Sequence, residues 1–246
     1  MDDLRNFFTI PGWYQPLSPF TFETKFVKLR TDAIAALADS YNSGAEISMD
    51  CEMSKQVIAD LRPVMKKISG NSFVSVDCCA PTDTERFASK GGAVFSPESA
   101  WFYLVHSKKV AKAAAAGKVE YVCIRPYRNI SKAREFRLFV YEGKLSAMSQ
   151  YNLNRHYRRI EGFRKRYWKL AEQFVQDVVW RIPVKTLVID VYLTSSERFI
   201  IIDLNCWGKP TDPLLLNTWD RDWSEVAGIQ LIPPPTKISG EVKVSF

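Results

Sequence analysis

Two acidic residues and an asparagine lie inside apolar stretches between residues 188 and 208, where their neighbours predict buried strands. Asp190 lies within VIDVY, and Asp203 and Asn205 lie within IIIDLNCWG. Because alternate residues of a strand share a face, Asp203 and Asn205 project side by side, and a hairpin would bring Asp190 to the same face. Carboxylate and amide oxygens suit Mg²⁺ that also binds a nucleotide's phosphates. The alternative is that Asp203 and Asn205 only turn the chain, which leaves the cost of burying Asp190 unexplained.

Two arginines also lie on apolar strands, Arg125 in YVCIRPY and Arg137 in EFRLFVY. A guanidinium is seldom placed among apolar residues without an anionic partner. One interpretation is a salt bridge with a nearby acid such as Glu135. The other is a clamp on phosphate oxygens, which arginine can bind through paired, charge-assisted hydrogen bonds. Phosphoryl and adenylyl transfer need mainly Mg²⁺, cations on the phosphates and positioning.

Common phosphate-binding and metal-binding motifs are absent from the sequence. There is neither a GxxxxGK[ST] loop nor a GxGxxG loop. Gly91 and Gly92 after Lys90 are interpreted either as a small phosphate-covering flap or, more simply, as a turn. With two His a zinc site is not expected, and five Cys without a repeating spacing indicate reduced thiols in a cytosolic setting.

A dense basic segment at residues 155–169 is the main feature of a chain with a formal net charge of +7. Such a charge favours an anionic ligand or partner. Basic residues between exposed aromatics are typical of an RNA-binding groove, whereas a solvated helix would turn its aromatics into the core. The segment contains Arg155, Arg158, Arg159, Arg164, Lys165, Arg166 and Lys169, with Tyr157, Tyr167 and Trp168 between them.

The elements that must position these residues predict an α+β fold with a mostly antiparallel sheet, since strands and helices precede a meander of strands. The sequence predicts strands at 21–29, 72–79 and 118–127, a hairpin at 135–152 with its turn at Glu142–Gly143, and helices from Thr31, at 54–67, 97–116 and 161–181. Residues 1–20 are expected to be extended. No apolar run reaches about 18 residues and the start lacks a signal-peptide pattern, so a cytoplasmic protein without membrane contact is expected.

Several of these stretches resemble the cell division cycle protein 123 family. EFRLFVYEGKLSAMSQYN, VIDVYL and IIIDLNCWGKPTDPLLLNTW are similar to the family's EFR hairpin, its FD-x-Y strand and its DFNP segment. SVDCCAPTDTERF resembles the family's strand leading to SAPRDA. The resemblance implies an ATP-grasp fold, in which two α+β lobes with mostly antiparallel sheets hold ATP and Mg²⁺ in the cleft between them. We expect an N-terminal lobe at residues 1–118 and a C-terminal lobe, with the metal site and basic helix, at residues 119–246.

The resemblance also assigns roles by position. It places Asp190, Asp203 and Asn205 on the metal and Arg125 and Arg137 near the phosphates, with Arg137 and Asp203 as the catalytic pair. The hinge strand along the adenine would be formed by Tyr121, Val122, Cys123 and Ile124.

Departures from the family pattern bear on the phosphate site. Ser75 stands where eukaryotic members have a lysine, so this contact is missing or comes from elsewhere, with Lys28 or Lys90 as candidates. Cys206 replaces the proline after the asparagine, and Tyr151 replaces an arginine after the SQ pair. A compact basic chain of this kind looks more like a bacterial or viral member of the family.

Three functions fit these observations. The first is an ATP·Mg²⁺-dependent, ligase-type enzyme that activates an acceptor, for example RNA ends, by phosphoryl or adenylyl transfer. The second is a non-catalytic, ATP-binding assembly chaperone for a translation initiation factor 2 complex, with a subunit of that factor as its partner. The third is a degenerate module that has lost its nucleotide, which the intact metal set argues against. Fold alone does not license an activity, and the sequence favours an enzyme.

Overall fold

The computed structural model describes residues 6–235. The chain divides into two compact units, Met1–Ile130 with Ile200–Leu204 and Ser131–Phe199 with Asn205–Phe246. The lobes expected at 1–118 and 119–246 stay a prediction. No helix within residues 6–235 is both long and apolar enough to cross a membrane.

In the first unit, helices pack against a three-stranded antiparallel sheet with the order β1-β3-β2. The central strand, β3, therefore pairs along both of its edges. The helices are α1 (Ile10–Leu17), α2 (Thr31–Ser43), α3 (Glu52–Met65), α4 (Glu85–Lys90), α5 (Pro97–Val105) and α6 (Lys108–Ala115), with a 3-10 turn at Ser18–Phe20, and the strands are β1 (Lys25–Lys28), β2 (Ser72–Val76) and β3 (Tyr121–Pro126).

Helix α1 corrects the expectation that residues 1–20 are extended. The Thr9 side chain accepts a hydrogen bond from the Gly12 backbone N–H, and Pro11 occupies the first turn, where its missing N–H costs nothing. Trp13 and Leu17 are fully buried. Capping and burial therefore make a helix of a segment that its prolines and aromatics suggested was extended.

Local capping signals fix the starts of α5 and α6. Ser96 and Ser99 form a capping box at the start of α5, and the Ser107 side chain caps α6. The apolar run predicted at 97–116 is therefore two helices, with His106 between them.

The two faces of the first sheet differ in polarity. Val74, Val76, Val122 and Ile124 belong to the hydrophobic core beneath the helices. Because alternate residues of a strand point to opposite faces, the other face of the sheet carries the polar side chains of Ser75 and Arg125. On this face Ser75 pairs in register with Cys123, and Phe73 pairs with Arg125.

The second sheet has five strands in the order β7-β6-β4-β5-β8. Strand β4 is antiparallel to β5 and β6, and β8 runs parallel to β5. The helices are α7 (Arg158–Glu161) and α8 (Arg164–Val179), with 3-10 turns at Lys132–Arg134 and Leu214–Leu216, and the strands are β4 (Glu135–Tyr141), β5 (Lys144–Gln150), β6 (Leu187–Leu193), β7 (Phe199–Asn205) and β8 (Gly228–Gln230).

The hairpin formed by β4 and β5 confirms the turn predicted at Glu142–Gly143. Both residues have positive φ, 49° and 79°, which is the backbone of a two-residue type I′ turn. The register of the hairpin shifts between Phe139 and Val140, and beyond this irregularity Arg137 lies opposite Ser149 of β5 on one side and opposite Asp190 of β6 on the other. The hairpin is thus the local element that positions the basic residue of the candidate site.

Candidate functional site

Arg137 and Asp190 form a buried ion pair at the centre of the second sheet. The Arg137 Nε lies 2.7 Å from Asp190 Oδ1, and its Nη2 lies 2.8 Å from Oδ2. Both side chains are less than a tenth exposed. Burial works to lower the pKa of Arg137, but the hydrogen bonds and charge of Asp190 raise it above its usual value. The salt-bridge interpretation of this arginine is thus observed, with Asp190 and not Glu135 as the acid.

Asn205 joins the same network from the end of β7. Its Nδ2 donates to Asp190 Oδ2 at 3.0 Å. A carboxylate only accepts hydrogen bonds, so the amide nitrogen must face Asp190 and the amide oxygen must point away from it. The structure therefore brings together Asp190 and Asn205, as the hairpin predicts, and leaves the Asn205 oxygen without a hydrogen bond from residues 6–235.

Asp203 lies two residues before Asn205 on the same strand. Its Oδ1 accepts the backbone N–H of Leu204 at 3.0 Å, and its charge acts on the Arg125 guanidinium. Across the described residues 6–235, no three His, Cys, Asp or Glu side chains are grouped closely enough to hold a metal by themselves. A magnesium site here would therefore need the amide of Asn205 and the phosphates of the nucleotide as further ligands.

Arg125 lies on the polar face of the first sheet and is only 6% exposed. Its Nε donates to Thr24 Oγ1 at 3.1 Å, its Nη1 donates to the Ile202 carbonyl at 3.0 Å, and the guanidinium lies 5.7 Å from the Trp13 ring centre. Burial lowers the pKa of this guanidinium, while the charge of Asp203 favours its charged form. Its Nη2 is buried and has no hydrogen-bond partner among the residues described. An unpaired buried N–H on a cation is a donor that an anion would satisfy.

The predicted adenine strand is the central strand of its sheet. The register pairs Tyr121, Val122, Cys123 and Ile124 with β1 on one side, and it pairs all of them except Tyr121 with β2 on the other. Most backbone groups of this stretch are therefore used by the sheet itself. Burial raises the pKa of the Cys123 thiol, which makes it an inert packing residue. An adenine contact along this strand stays a prediction.

The two lysines proposed to replace the contact missing at Ser75 have other partners. Lys28 pairs with Glu120 at 3.0 Å, and both side chains are exposed. Lys90 lies 5.5 Å from the centre of the Phe95 ring. Neither contact points to a phosphate.

The glycine pair that follows Lys90 is better explained as a tightly packed turn. Both glycines have positive φ, 62° at Gly91 and 81° at Gly92. A Cβ added at Gly92 would lie 2.6 Å from a ring carbon of Phe87, and one added at Gly91 would lie 2.8 Å from the Tyr127 hydroxyl. Close packing against these rings requires glycine, whatever the segment binds.

The basic segment 155–169 forms α7 and the start of α8. Tyr167 is buried against Phe136, with ring centres 6.1 Å apart, and so is unavailable for stacking on a base. Arg164 donates to the Ile229 carbonyl at 2.7 Å, and Arg166 pairs with Glu197. The exposed basic residues of the segment whose side chains form neither an ion pair nor a hydrogen bond within residues 6–235 are Arg155, Arg158, Arg159, Lys165 and Lys169. Of the three aromatic residues of the segment, Tyr167 thus belongs to the core, whereas Tyr157 and Trp168 are half-buried.

Sequence reasoning missed two buried or capping carboxylates. Asp77, 4% exposed, accepts the backbone N–H groups of Glu120 and Tyr121 at 2.7 and 2.9 Å and so fixes the start of β3. Asp83 accepts the Ser107 hydroxyl at 2.6 Å and the Lys109 N–H at 3.0 Å, which ties it to the start of α6. The signal for Asp77 was available, because it follows the apolar run SFVSV directly.

Comparison with known proteins agrees with the resemblance seen in the sequence. Cell division cycle protein 123 of Candida glabrata is 29% identical over 188 residues, which cover 73% of this chain and 51% of the relative. A translation initiation factor eIF2 assembly protein of Kluyveromyces lactis is 36% identical over 110 residues, which cover 44% of this chain and 28% of that protein. The chain thus spans about half the length, or less, of these curated relatives. Both are eukaryotic, so they do not support a bacterial or viral member.

The fold agrees as well. The structure of Cdc123 from Schizosaccharomyces pombe superposes with a TM-score of 0.79 at 19% identity, covering 94% of this chain and 98% of that one. The predicted α+β class with mostly antiparallel sheets is confirmed. For this fold the sequence resemblance implies the ATP-grasp arrangement. The model of the D123 family matches residues 96–230, more than half of the chain. The chain therefore belongs to the D123 family.

Proposed function

We propose that this protein binds ATP and Mg²⁺ and acts as an assembly factor for a translation initiation factor 2 complex. The observation that carries the proposal is membership of a family whose curated relatives include a translation initiation factor eIF2 assembly protein. Bound nucleotide would act as a structural switch, and a subunit of the initiation factor would be the partner. Such a factor would work in the cytoplasm.

The chemistry of the three predicted ligands supports the ATP·Mg²⁺ part of the proposal. Asp190, Asp203 and Asn205 supply the hard oxygen ligands that Mg²⁺ prefers. Three hydrogen bonds reach the oxygens of Asp190, whose carboxylate has about four lone-pair sites, so one site is left for a metal. When bound, Mg²⁺ would neutralise the charge of the nucleotide's phosphates.

Arg125 is the side chain that best replaces the lysine missing at Ser75. Ser75 pairs with Cys123, and Arg125 lies two residues further along β3 on the same face. Its unpaired Nη2 is a buried donor, whereas Lys28 and Lys90 have other contacts. We therefore assign the phosphate contact to Arg125. An Arg125→Lys variant tests this assignment, because lysine keeps the positive charge but lacks the paired N–H donors of the guanidinium.

The ligase-type reaction predicted first has weaker support. The relative's printed name refers to assembly and not to ligation. Of the aromatic residues in the basic segment, Tyr167 is buried and so cannot stack on a base of an RNA substrate. Product analysis separates the two functions, because a switch leaves ATP intact during binding and a ligase converts it to AMP or ADP.

The test combines nucleotide binding with product analysis. Calorimetry should show Mg²⁺-dependent ATP binding by the wild-type protein and its loss in Asp203→Ala, with an unchanged melting temperature. Asp177→Ala, which removes an exposed carboxylate bonded to Gln173, is the matched control and should bind normally. Equal Mg²⁺-dependent affinities of wild type and Asp203→Ala would remove Asp203 from the site.

Labelled ATP that stays intact, together with co-purification of translation initiation factor 2 subunits from a eukaryotic lysate, would support the assembly function. Steady formation of AMP or ADP would favour the ligase.

A further inference from the structure

The orientation of Arg137 decides which group this arginine serves. A guanidinium has two edges with parallel donors, one formed by Nε and Nη2 and the other by Nη1 and Nη2. Asp190 occupies the first edge, at 2.7 and 2.8 Å. On the second edge, Nη1 donates to the Asp212 carbonyl at 2.7 Å. Neither edge is therefore free for bidentate binding of a phosphate.

The faces of the same guanidinium are also constrained. The Tyr151 ring centre lies 5.2 Å from the Arg137 Cζ, so an aromatic ring covers one face of the cation. Arg137 is 6% exposed, and its neighbours on β4, Phe136 and Leu138, are fully buried. This packing holds the guanidinium in one place, with its donors directed at Asp190 and at the segment that follows β7.

The hydrogen bonds continue from Asp190 to Asn205. Because Asp190 accepts the Asn205 Nδ2 at 3.0 Å, the position of the carboxylate sets which way the amide is turned. A change at Arg137 would release Asp190 and, with it, the amide oxygen that the proposed metal site needs. Groups that orient a metal ligand commonly matter nearly as much as the ligand itself.

We propose that Arg137 is a positioning residue, which fixes Asp190 and through it presents the Asn205 oxygen to Mg²⁺, and that it does not clamp the nucleotide's phosphates. This inference rests on the proposed function, since it concerns the same ATP·Mg²⁺ site. It differs from the role expected from the sequence, in which Arg137 was a phosphate-binding catalytic residue.

The experiment measures ATP affinity of Arg137→Lys twice, in excess Mg²⁺ and in EDTA. Arg137→Lys keeps the positive charge but loses the paired donors. If Arg137 positions the metal ligands, ATP affinity in EDTA stays within about twofold of wild type, and the gain from Mg²⁺ falls about 10- to 100-fold. A phosphate clamp predicts the opposite, with weaker binding in EDTA and a preserved gain from Mg²⁺, and that result would overturn the inference.

Controls separate this inference from the proposed function and from loss of folding. Arg134→Lys changes an arginine that donates to the Thr194 carbonyl and should leave both affinities unchanged. If Arg137→Lys does not fold, Arg137→Gln keeps a neutral donor for Asp190 and is measured in the same way. Adding Arg137→Lys to Asn205→Ala should cause a smaller loss of the Mg²⁺ gain than Arg137→Lys causes in the wild-type protein, because part of its effect passes through the Asn205 ligand. A wild-type protein without any gain from Mg²⁺ would reject the proposed metal site itself.

Discussion

At the scale of single residues, two buried aspartates on strands or at strand ends have opposite surroundings. Asp190 meets a guanidinium and an amide, so its charge is compensated. Asp77 meets two backbone N–H groups and no cation among its hydrogen-bond donors. Burial raises the pKa of Asp77 above its ordinary value of 3.8, and its hydrogen bonds only partly oppose this. The negative charge is therefore compensated by a cation at Asp190, whereas at Asp77 only backbone N–H groups stabilise it.

The raised pKa of Asp77 predicts a pH-dependent effect of Asp77→Asn. Since the folded-state pKa lies above 3.8, the unfolded chain releases this proton at lower pH than the folded chain does. The stability that protonated Asp77 contributes is present below the unfolded-state pKa and is lost as pH rises through the folded-state pKa. Asparagine can still accept both N–H groups but carries no charge. The melting temperature of Asp77→Asn relative to wild type should therefore increase between pH 4 and pH 7. A difference that shrinks over this range would show that ionised Asp77 favours the folded state.

At the scale of elements, an aromatic cluster holds the segment that follows β7 against the second sheet. Trp223 stacks on Phe139 of β4 with ring centres 5.2 Å apart and meets Trp207 at 4.7 Å and Trp219 at 5.3 Å. The Trp219 indole N–H donates to the Thr211 carbonyl at 2.8 Å. Between β7 and β8, residues 206–227 contain only one short 3-10 turn, so side-chain packing and not regular secondary structure fixes the path of this segment. Its position matters because the Asp212 carbonyl bonds Arg137.

Truncation of the cluster should therefore destabilise the fold strongly. Trp223 is 6% exposed, and Trp223→Ala is expected to lower the free energy of unfolding by about 3–5 kcal/mol. Trp180→Ala is the matched control, because Trp180 is 66% exposed and its removal should change stability by about 0.5 kcal/mol or less. Urea denaturation of both variants measures the difference. Equal effects would mean that the cluster adds little to the packing of this segment.

At the scale of the whole molecule, the net charge of +7 predicts weak, salt-dependent binding of polyanions. The contribution of the segment 155–169 to such binding depends on which of its basic side chains form no hydrogen bond or ion pair with the rest of the protein. Arg164 and Arg166 are engaged by Ile229 and Glu197, so Lys165 and Lys169 are the better positions to test. The sequence alone pointed to all seven basic residues equally.

A charge reversal at these lysines measures this contribution. If the segment contacts a polyanion, Lys165→Glu with Lys169→Glu should weaken binding to poly(U) and reduce the salt slope by about 1.4, since each phosphate contact on a single strand contributes about 0.7. Lys108→Glu with Lys112→Glu on α6 changes the net charge equally, also at exposed positions. The same slope for both pairs would mean that only net charge matters and that α7 and α8 form no binding surface.

The sequence by itself determined features that depend on near neighbours along the chain. The type I′ turn at Glu142–Gly143 follows from the short-range requirement for positive φ. Helix α8 lies within the helix predicted at 161–181 and buries Tyr167, Phe174 and Val178 at helical spacing, although Phe163 just before it is 45% exposed. The hairpin that joins Asp190 to Asn205 was also readable, because alternation of apolar residues fixes which side chains share a face.

Only the tertiary structure decided which groups these side chains meet. Arg137 pairs with Asp190, 53 positions away, and not with its sequence neighbour Glu135. Arg125 reaches the carbonyl of Ile202, 77 positions away. Such partners depend on strand order and register, which pack segments that are distant along the chain. Periodicity reports which face of an element is buried, but it carries no information about which distant element covers that face.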